Sequence, residues 1–335
     1  MTIDSEIKSF LSTNKRNPTK IDHLSGDASN RIYFRIYYKN TTEIFMDSRN
    51  EKESLKNFIC VYNYLYNIGV SVPKISCYNI KSGFMLLEDF GDKSLYNIIE
   101  NDLGNEYLQE IYSVVIDTIC VIQSKAYPNT FPAYTAEKLV SDATEFLSEC
   151  YHFSSTSYTS VEQEKNLLRE TLYPIMEKAW SLPKVLSLRD VHSSNIMWLE
   201  NRRENLRVGF LDFQDALIAP SSYDIVSLLS DARVDLNKPL VDKMINRYLE
   251  NNPDISQSDF LFSYSALGFQ RGVRIAGIFS NLSINNNKTE FASYLPRVWN
   301  QIFEHATHPG LNDLYAWLRN YGPNFNRKPE AKNES

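Results

Sequence analysis

Residues 187–199 read SLRDVHSSNIMWL and crowd Asp190, His192 and Asn195 between the apolar runs PKVLSL and IMWL. Seventeen residues beyond Asn195, Asp212 stands in VGFLDFQDA. Moving a phosphoryl group onto a hydroxyl asks for little covalent chemistry. It needs a carboxylate that accepts a hydrogen bond from the hydroxyl, and hard oxygen ligands that gather phosphate charge on magnesium. Asp190 can be the acceptor, and Asn195 and Asp212 the metal ligands. A polar loop with an Asx turn, followed by an unrelated hairpin, would explain either half alone. Both halves in order, at this spacing, favour the catalytic reading.

These residues need elements to position them. Between Asn195 and Asp212 the chain has room for IMWL, the polar turn ENRRENLR and the return strand VGFLDF, a hairpin that presents both residues to one side. Upstream, SEIKSFLSTN predicts a short helix ending before Pro18. RIYFRIYY alternates Ile32, Phe34 and Ile36 with Arg31, Tyr33, Arg35 and Tyr37, which is strand periodicity, and EIFMD follows as a second strand. EKESLKNFICVYNYLYNIG carries Leu55, Phe58, Ile59, Tyr62 and Leu65 at helical spacing and stops at Gly69. ISCYNI and GFMLLEDF then predict two more strands, and EDFGD punctuates the chain. Beyond it, amphipathic helices are expected over about 104–125, 135–152, 161–180, 239–251, 257–282 and 289–305.

At 335 residues, with 43% hydrophobic residues and a net charge of −6, the chain suits a two-lobed globular enzyme and not a nucleic-acid binder. No run approaches a membrane span or a signal peptide, so a cytoplasmic protein is expected, with no membrane partner. Cys60, Cys77, Cys120 and Cys150 lack metal or redox spacing and read as buried free thiols. His305 and His308 in HATH have no third ligand nearby, which argues against a metal there. Nothing in the sequence signals an oligomeric state.

RDVHSSN, FLDFQDA and SSYDIVSLL resemble the aminoglycoside/choline-kinase-type phosphotransferases, whose fold is protein-kinase-like. LSGDASNRIYFRI, GFMLLEDFGD, LDFQDALIAPSSYDIVSLLSDAR and GFQRGVRIAGIFSNL are similar to the bacterial N-acetylmuramate/N-acetylglucosamine kinases, over about residues 22–320. The resemblance implies an α+β fold. A nucleotide-binding lobe, an antiparallel sheet with one helix, would occupy residues 1–91. A larger, mainly helical catalytic and substrate-binding lobe would occupy 92–322, with a disordered tail at 323–335. It implies ATP and Mg²⁺ as cofactors and a small-molecule acceptor, with an amino sugar phosphorylated at its anomeric hydroxyl favoured. Asp190 would be the catalytic base, and Asn195 and Asp212 the magnesium ligands. Gly26, Asp27, Ala28, Ser29, Asn30, Arg31, Arg35 and Glu88 would surround the nucleotide. His192 would hold the loop near the substrate, Asp224 would brace it, and Gln270, Arg271 and Arg274 would face the sugar. A choline, homoserine or aminoglycoside kinase, and a non-catalytic nucleotide-binding relative, stay open.

Three departures from the family pattern stand out. Leu188 replaces the histidine of the usual His-Arg-Asp, which removes a brace but no reacting group. The loop SGDASNR has one glycine. The strand that should carry a phosphate-binding lysine has Met46 and Asp47 instead. Arg31 or Arg35 would then supply the missing cation, with Glu53 a candidate for its acidic partner.

Overall fold

A computed structural model describes residues 5–24, 31–101, 104–154 and 161–323. The N-terminal elements are α1 (Ser5–Thr13), β1 (Lys20–Leu24), β2 (Ile32–Tyr37), β3 (Thr42–Asp47), α2 (Lys52–Asn67), β4 (Ile75–Asn79), β5 (Phe84–Glu88) and α3 (Leu95–Glu100). Next come α4 (Asn105–Gln123), α5 (Ala136–Thr144), α6 (Leu147–Phe153), α7 (Val161–Ala179), β6 (Lys184–Ser187), β7 (Ile196–Trp198), β8 (Val208–Phe210) and β9 (Leu217–Pro220). The chain closes with α8 (Tyr223–Leu229), α9 (Lys238–Glu250), α10 (Gln257–Asn285), α11 (Leu295–Ala306) and α12 (Asn312–Tyr321). They form two compact units. One holds the described residues up to Thr118 together with Ser194–Ala216. The other holds Ile119–Ser193 and the described residues from Leu217 on. Asn195 and Asp212 therefore belong to the first unit and Asp190 to the second.

The first unit is built on an antiparallel sheet in the order β1-β2-β3-β5-β4. Alternation in β2 buries Phe34 and Ile36 on one face, against Phe45, Phe84 and Leu86. Helix α1 covers that face with Ile7, Phe10 and Leu11, and the Phe10 ring meets Phe45 and Phe84 edge-on at 5.8 and 5.6 Å. Helix α2 buries Leu55, Phe58, Val61 and Leu65, so Val61 is inside where the periodicity had suggested Ile59 and Tyr62. Gly69, at φ +80°, ends that segment in a backbone conformation that glycine adopts freely. The expected hairpin forms from β7 and β8, with Ile196 opposite Phe210.

The second unit is organised on α10, whose 29 residues bury side chains on several sides. Gly272 lets the Ile302 side chain of α11 approach, and Gly277 does the same for Phe146. The single helix expected over 135–152 breaks at Glu145 and Phe146 into α5 and α6, where Gly277 of α10 lies against Phe146. Helix α12 and the short α3 and α8 lie outside the expected helical segments. The thiols are not uniformly buried: Cys150 is, but Cys60 is exposed and Cys77 and Cys120 are half-buried. Among the described residues no helix is long and apolar enough to cross a membrane.

Candidate active site

In the second unit β6 pairs with β9 and delivers the chain into the loop Leu188–Ser193. The loop is held by two buried carboxylates. Asp224, in the first turn of α8, accepts from Ser187 Oγ at 2.6 Å, Leu188 N at 3.0 Å and Arg189 N at 3.1 Å. Those bonds keep Arg189 at φ +72°, a region that non-glycine residues rarely adopt. Burial pushes the Asp224 carboxyl up to about 6, against the pull of its hydrogen bonds. Asp224 is thus a brace on the loop backbone. Asp231 does similar work three residues past Asp190, accepting from Ser193 N at 2.8 Å, from Ser193 Oγ and from Arg233 N at 2.9 Å. His192 is buried beside it, and burial together with the Arg233 charge holds its imidazole below the usual range and therefore neutral.

Asp190 stands between these braces with its side chain 27% exposed. Burial tends to raise its pKa, but the charges of Arg274, Arg271 and Arg189 outweigh that and hold it below the ordinary carboxylate range. It is an anion at neutral pH and able to accept a hydrogen bond. Arg271 Nη2 lies 3.8 Å from Asp190 Oδ1. Of the three α10 residues singled out by sequence, Arg271 and Arg274 come to Asp190. The fully buried Gln270 instead donates to the Leu139 carbonyl of α5 at 2.7 Å. Arg189 Nη2 reaches Asp142 Oδ2 at 3.6 Å, and Asp142 also accepts from Tyr134 Oη at 2.7 Å.

In the first unit, Leu211 N donates to the Asn195 carbonyl at 2.9 Å, so the hairpin sets Asn195 beside the end of β8, where Asp212 follows. Asp212 has φ +55° and a side chain 41% exposed, beside Gln214, which donates to it at 3.0 Å. These hard oxygen donors fit magnesium, which needs few protein ligands and retains waters. The cation beside them is Arg31. Its Nη1 donates to Gln214 Oε1 at 3.0 Å and to Asp212 Oδ1 at 3.3 Å, and its Nε reaches Glu51 Oε2 at 3.4 Å. Burial lowers the Arg31 pKa, but the Tyr33, Asp212 and Glu51 neighbours raise it further, so the guanidinium stays charged.

The other residues read from the sequence divide plainly. Arg35 is committed elsewhere, to Asp89 at 2.7 Å and Asp92 at 2.8 Å, tying β2 to the EDFGD segment. Glu88 accepts from Arg202 Nη2 at 2.6 Å and from Lys74 N at 3.2 Å. Glu53 is exposed and paired with Lys56, so the acidic partner of the cation is Glu51 and not Glu53. Gly26, Asp27, Ala28, Ser29 and Asn30 lie outside the described residues, as does all of the expected tail beyond Pro323. His305 Nε2 lies 2.9 Å from Ser230 Oγ, and His308 accepts from Gly310 N. Sequence reasoning missed Asp231, Asp142, Tyr134, Glu51 and Gln214. Only Gln214, inside DFQDA, and Asp231, inside SLLSDAR, sat in motifs that could have flagged them.

Residues 20–261 match the phosphotransferase enzyme family. The chain is 29% identical to an N-acetylmuramate/N-acetylglucosamine kinase of Caulobacter vibrioides, over 96% of this chain and 99% of that protein. An enzyme of the same name from Pseudomonas aeruginosa is 28% identical over 84% of this chain and 82% of its own. A choline kinase from Streptococcus pneumoniae has the same fold, with a TM-score of 0.65 at 10% identity, covering 89% of this chain and 98% of its own. An ADP-bound aminoglycoside phosphotransferase gives a TM-score of 0.63 at 14% identity, covering 90% of this chain and 99% of its own.

Proposed function

The chain belongs to the phosphotransferase enzyme family, and we propose that it phosphorylates the anomeric hydroxyl of N-acetylmuramate or N-acetylglucosamine, with ATP and Mg²⁺ as cofactors. The observation that carries this reading is the charge around Asp190. Three guanidiniums, from Arg189, Arg271 and Arg274, act on that carboxylate. A cationic acceptor such as choline or an aminoglycoside would meet repulsion there, whereas a neutral or acidic sugar would not. The full-length similarity to kinases named for these two sugars supports the same choice.

In this reading Asp190 accepts a hydrogen bond from the sugar hydroxyl and orients its lone pair for attack. Its depressed pKa makes it a weak base, which suits a loose transition state where the proton leaves late. Asp224 and Asp231 keep the loop from relaxing around it. Asn195 and Asp212 would hold magnesium, which when bound with ATP gathers the charge of the phosphates. Arg31 takes the place of the missing strand lysine, anchored by Glu51 as that lysine would be by a helix glutamate.

The test is turnover. Purified protein with Mg-ATP is offered N-acetylmuramate, N-acetylglucosamine, choline and an aminoglycoside separately, with ADP followed and the phosphate located by ³¹P NMR. The expected product is a sugar 1-phosphate, formed at least ~100-fold more slowly by Asp190→Asn. Turnover of choline or the aminoglycoside in preference to both sugars would refute the reading.

A further inference from the structure

The cations around Asp190 outnumber what the chain itself uses. A weakly basic Asp190 serves a loose transition state, but it does not use up the donors of these guanidiniums: Arg271 meets it at 3.8 Å, beyond hydrogen-bond reach. Asp142 absorbs part of their charge, since its carboxylate meets Lys138 Nζ at 2.7 Å, Arg189 Nη2 at 3.6 Å and Tyr134 Oη at 2.7 Å. Asp224 is committed to backbone donors. Arg189 is further fixed by its guanidinium lying over the Tyr134 ring, 5.5 Å from the centroid. Arg271 and Arg274 are left. Arg271 is 4% exposed at its side chain, reaches Asp190 only at 3.8 Å, and its Nε has no hydrogen-bond partner among the described residues. Arg274, one turn further along α10, makes no hydrogen bond or ion pair to any described residue, yet its charge is felt by Asp190, Asp142, Tyr134 and Tyr223. The Tyr223 hydroxyl, fully buried and edge-on to Tyr134 at 5.5 Å, also lacks a hydrogen-bond partner.

Unpaired donors on a buried arginine and a buried tyrosine, next to an uncommitted arginine, make a receptor for a planar anion. We infer that Arg271, Arg274 and Tyr223 form a carboxylate subsite beside the acceptor hydroxyl, which selects an acidic sugar over its neutral counterpart. The inference rests on the sugar-kinase reading and refines it. N-acetylmuramate differs from N-acetylglucosamine by a lactyl ether that ends in a carboxylate, so the pair isolates this one group. The same cations could instead serve the phosphoryl group in transfer, which is common to both sugars.

The experiment measures kcat/KM for both sugars in the wild type, Arg274→Gln and Arg274→Lys, with thermal melting to establish that each variant is folded. In Arg274→Gln the preference for N-acetylmuramate over N-acetylglucosamine is expected to fall at least ~10-fold, mostly through KM, because one charge-assisted contact is lost. Arg274→Lys should recover part of it. An unchanged preference overturns the subsite, whether both sugars lose equally, which assigns the cation to the phosphoryl group, or neither loses. If the wild type turns over neither sugar, the sugar-kinase reading itself has failed, an outcome distinct from a wild type that uses both without distinguishing them.

Discussion

Asp224→Asn is the sharpest probe of how the Asp190 loop is held. Either carboxylate oxygen faces a backbone N–H, Oδ1 that of Arg189 and Oδ2 that of Leu188, so an amide must turn its NH₂ group toward one of them. Leaving that buried donor unsatisfied costs about 1–3 kcal/mol. Removing the carboxylate also removes a buried charge. Its pKa rises from an ordinary 3.8 to about 6 on folding, a difference worth about 3 kcal/mol at ~1.4 kcal/mol per pH unit. Between those two values the folded chain keeps a proton at Asp224 that the unfolded chain has released. The contribution of Asp224 to stability is therefore complete below about 4 and lost as pH rises through about 6. Asparagine does not titrate, so the stability gap between wild type and variant should shrink by up to about 3 kcal/mol across that window. Urea unfolding at half-unit pH steps measures it. Catalysis should respond differently: freed of its acceptor, Arg189 can leave φ +72° and carry Asp190 out of line, and a displacement of this kind lowers kcat by about 10- to 100-fold at every pH. Parallel pH–stability curves for the two proteins, or a kcat within twofold of wild type, would refute the brace.

Two further perturbations separate roles that the sequence leaves merged. Arg31→Met should lower kcat/KM for ATP at least ~10-fold. Arg35→Met should act on stability, because Asp89, 5% exposed at its side chain, would lose its ion-pair partner at a cost of about 3 kcal/mol; comparing steady-state kinetics with melting shows whether the assignment is reversed. His305→Gln tests a buried imidazole that burial alone lowers from 6.5 to about 4. Its contribution is complete above about 6.5 and lost as pH falls through about 4, so its difference curve in the same urea experiment should slope opposite to that of Asp224→Asn; slopes of the same sign would contradict the buried neutral state.

Local signals were legible where geometry is local. The alternation Ile32, Phe34, Ile36 made a strand whichever neighbours it found. The five-residue step from Asp190 to Asn195 and the polar turn before VGFLDF set the hairpin before any tertiary contact was known. Choices between equivalent positions were not legible. Arg31 and Arg35 are four residues apart and so share a strand face. What separates them is that EDFGD supplies Asp89 and Asp92 to one, while Gln214 and Asp212, about 180 residues away, surround the other. Glu51 and Glu53 differ only in where α2 begins: at Lys52, with Glu51 its N-cap residue and Glu53 turned to solvent. Asp142 carried no sequence signal of its own, because a buried acid is identified by the donors that fold onto it.

At two of the departures from the family pattern the structure shows other groups nearby. Leu188 offers no polar side chain to the Asp190 loop, and the loop is held there by its backbone, with Leu188 N and Arg189 N donating to Asp224. Asp47, in the strand where a lysine would stand, could have put a negative charge beside the nucleotide. It is 5% exposed and held by Arg49 through Nε at 3.1 Å and Nη2 at 2.7 Å, so its charge is neutralised within the strand's own turn. The cation beside Asp212 is Arg31, just before β2, and it is paired with Glu51, the N-cap residue of α2. The contacts leave one cation with one acidic anchor beside Asp212, and one carboxylate on the loop backbone behind Asp190. Both arrangements hang on single side chains, so if the site works as proposed, Arg31→Met and Asp224→Asn should each impair it by one substitution.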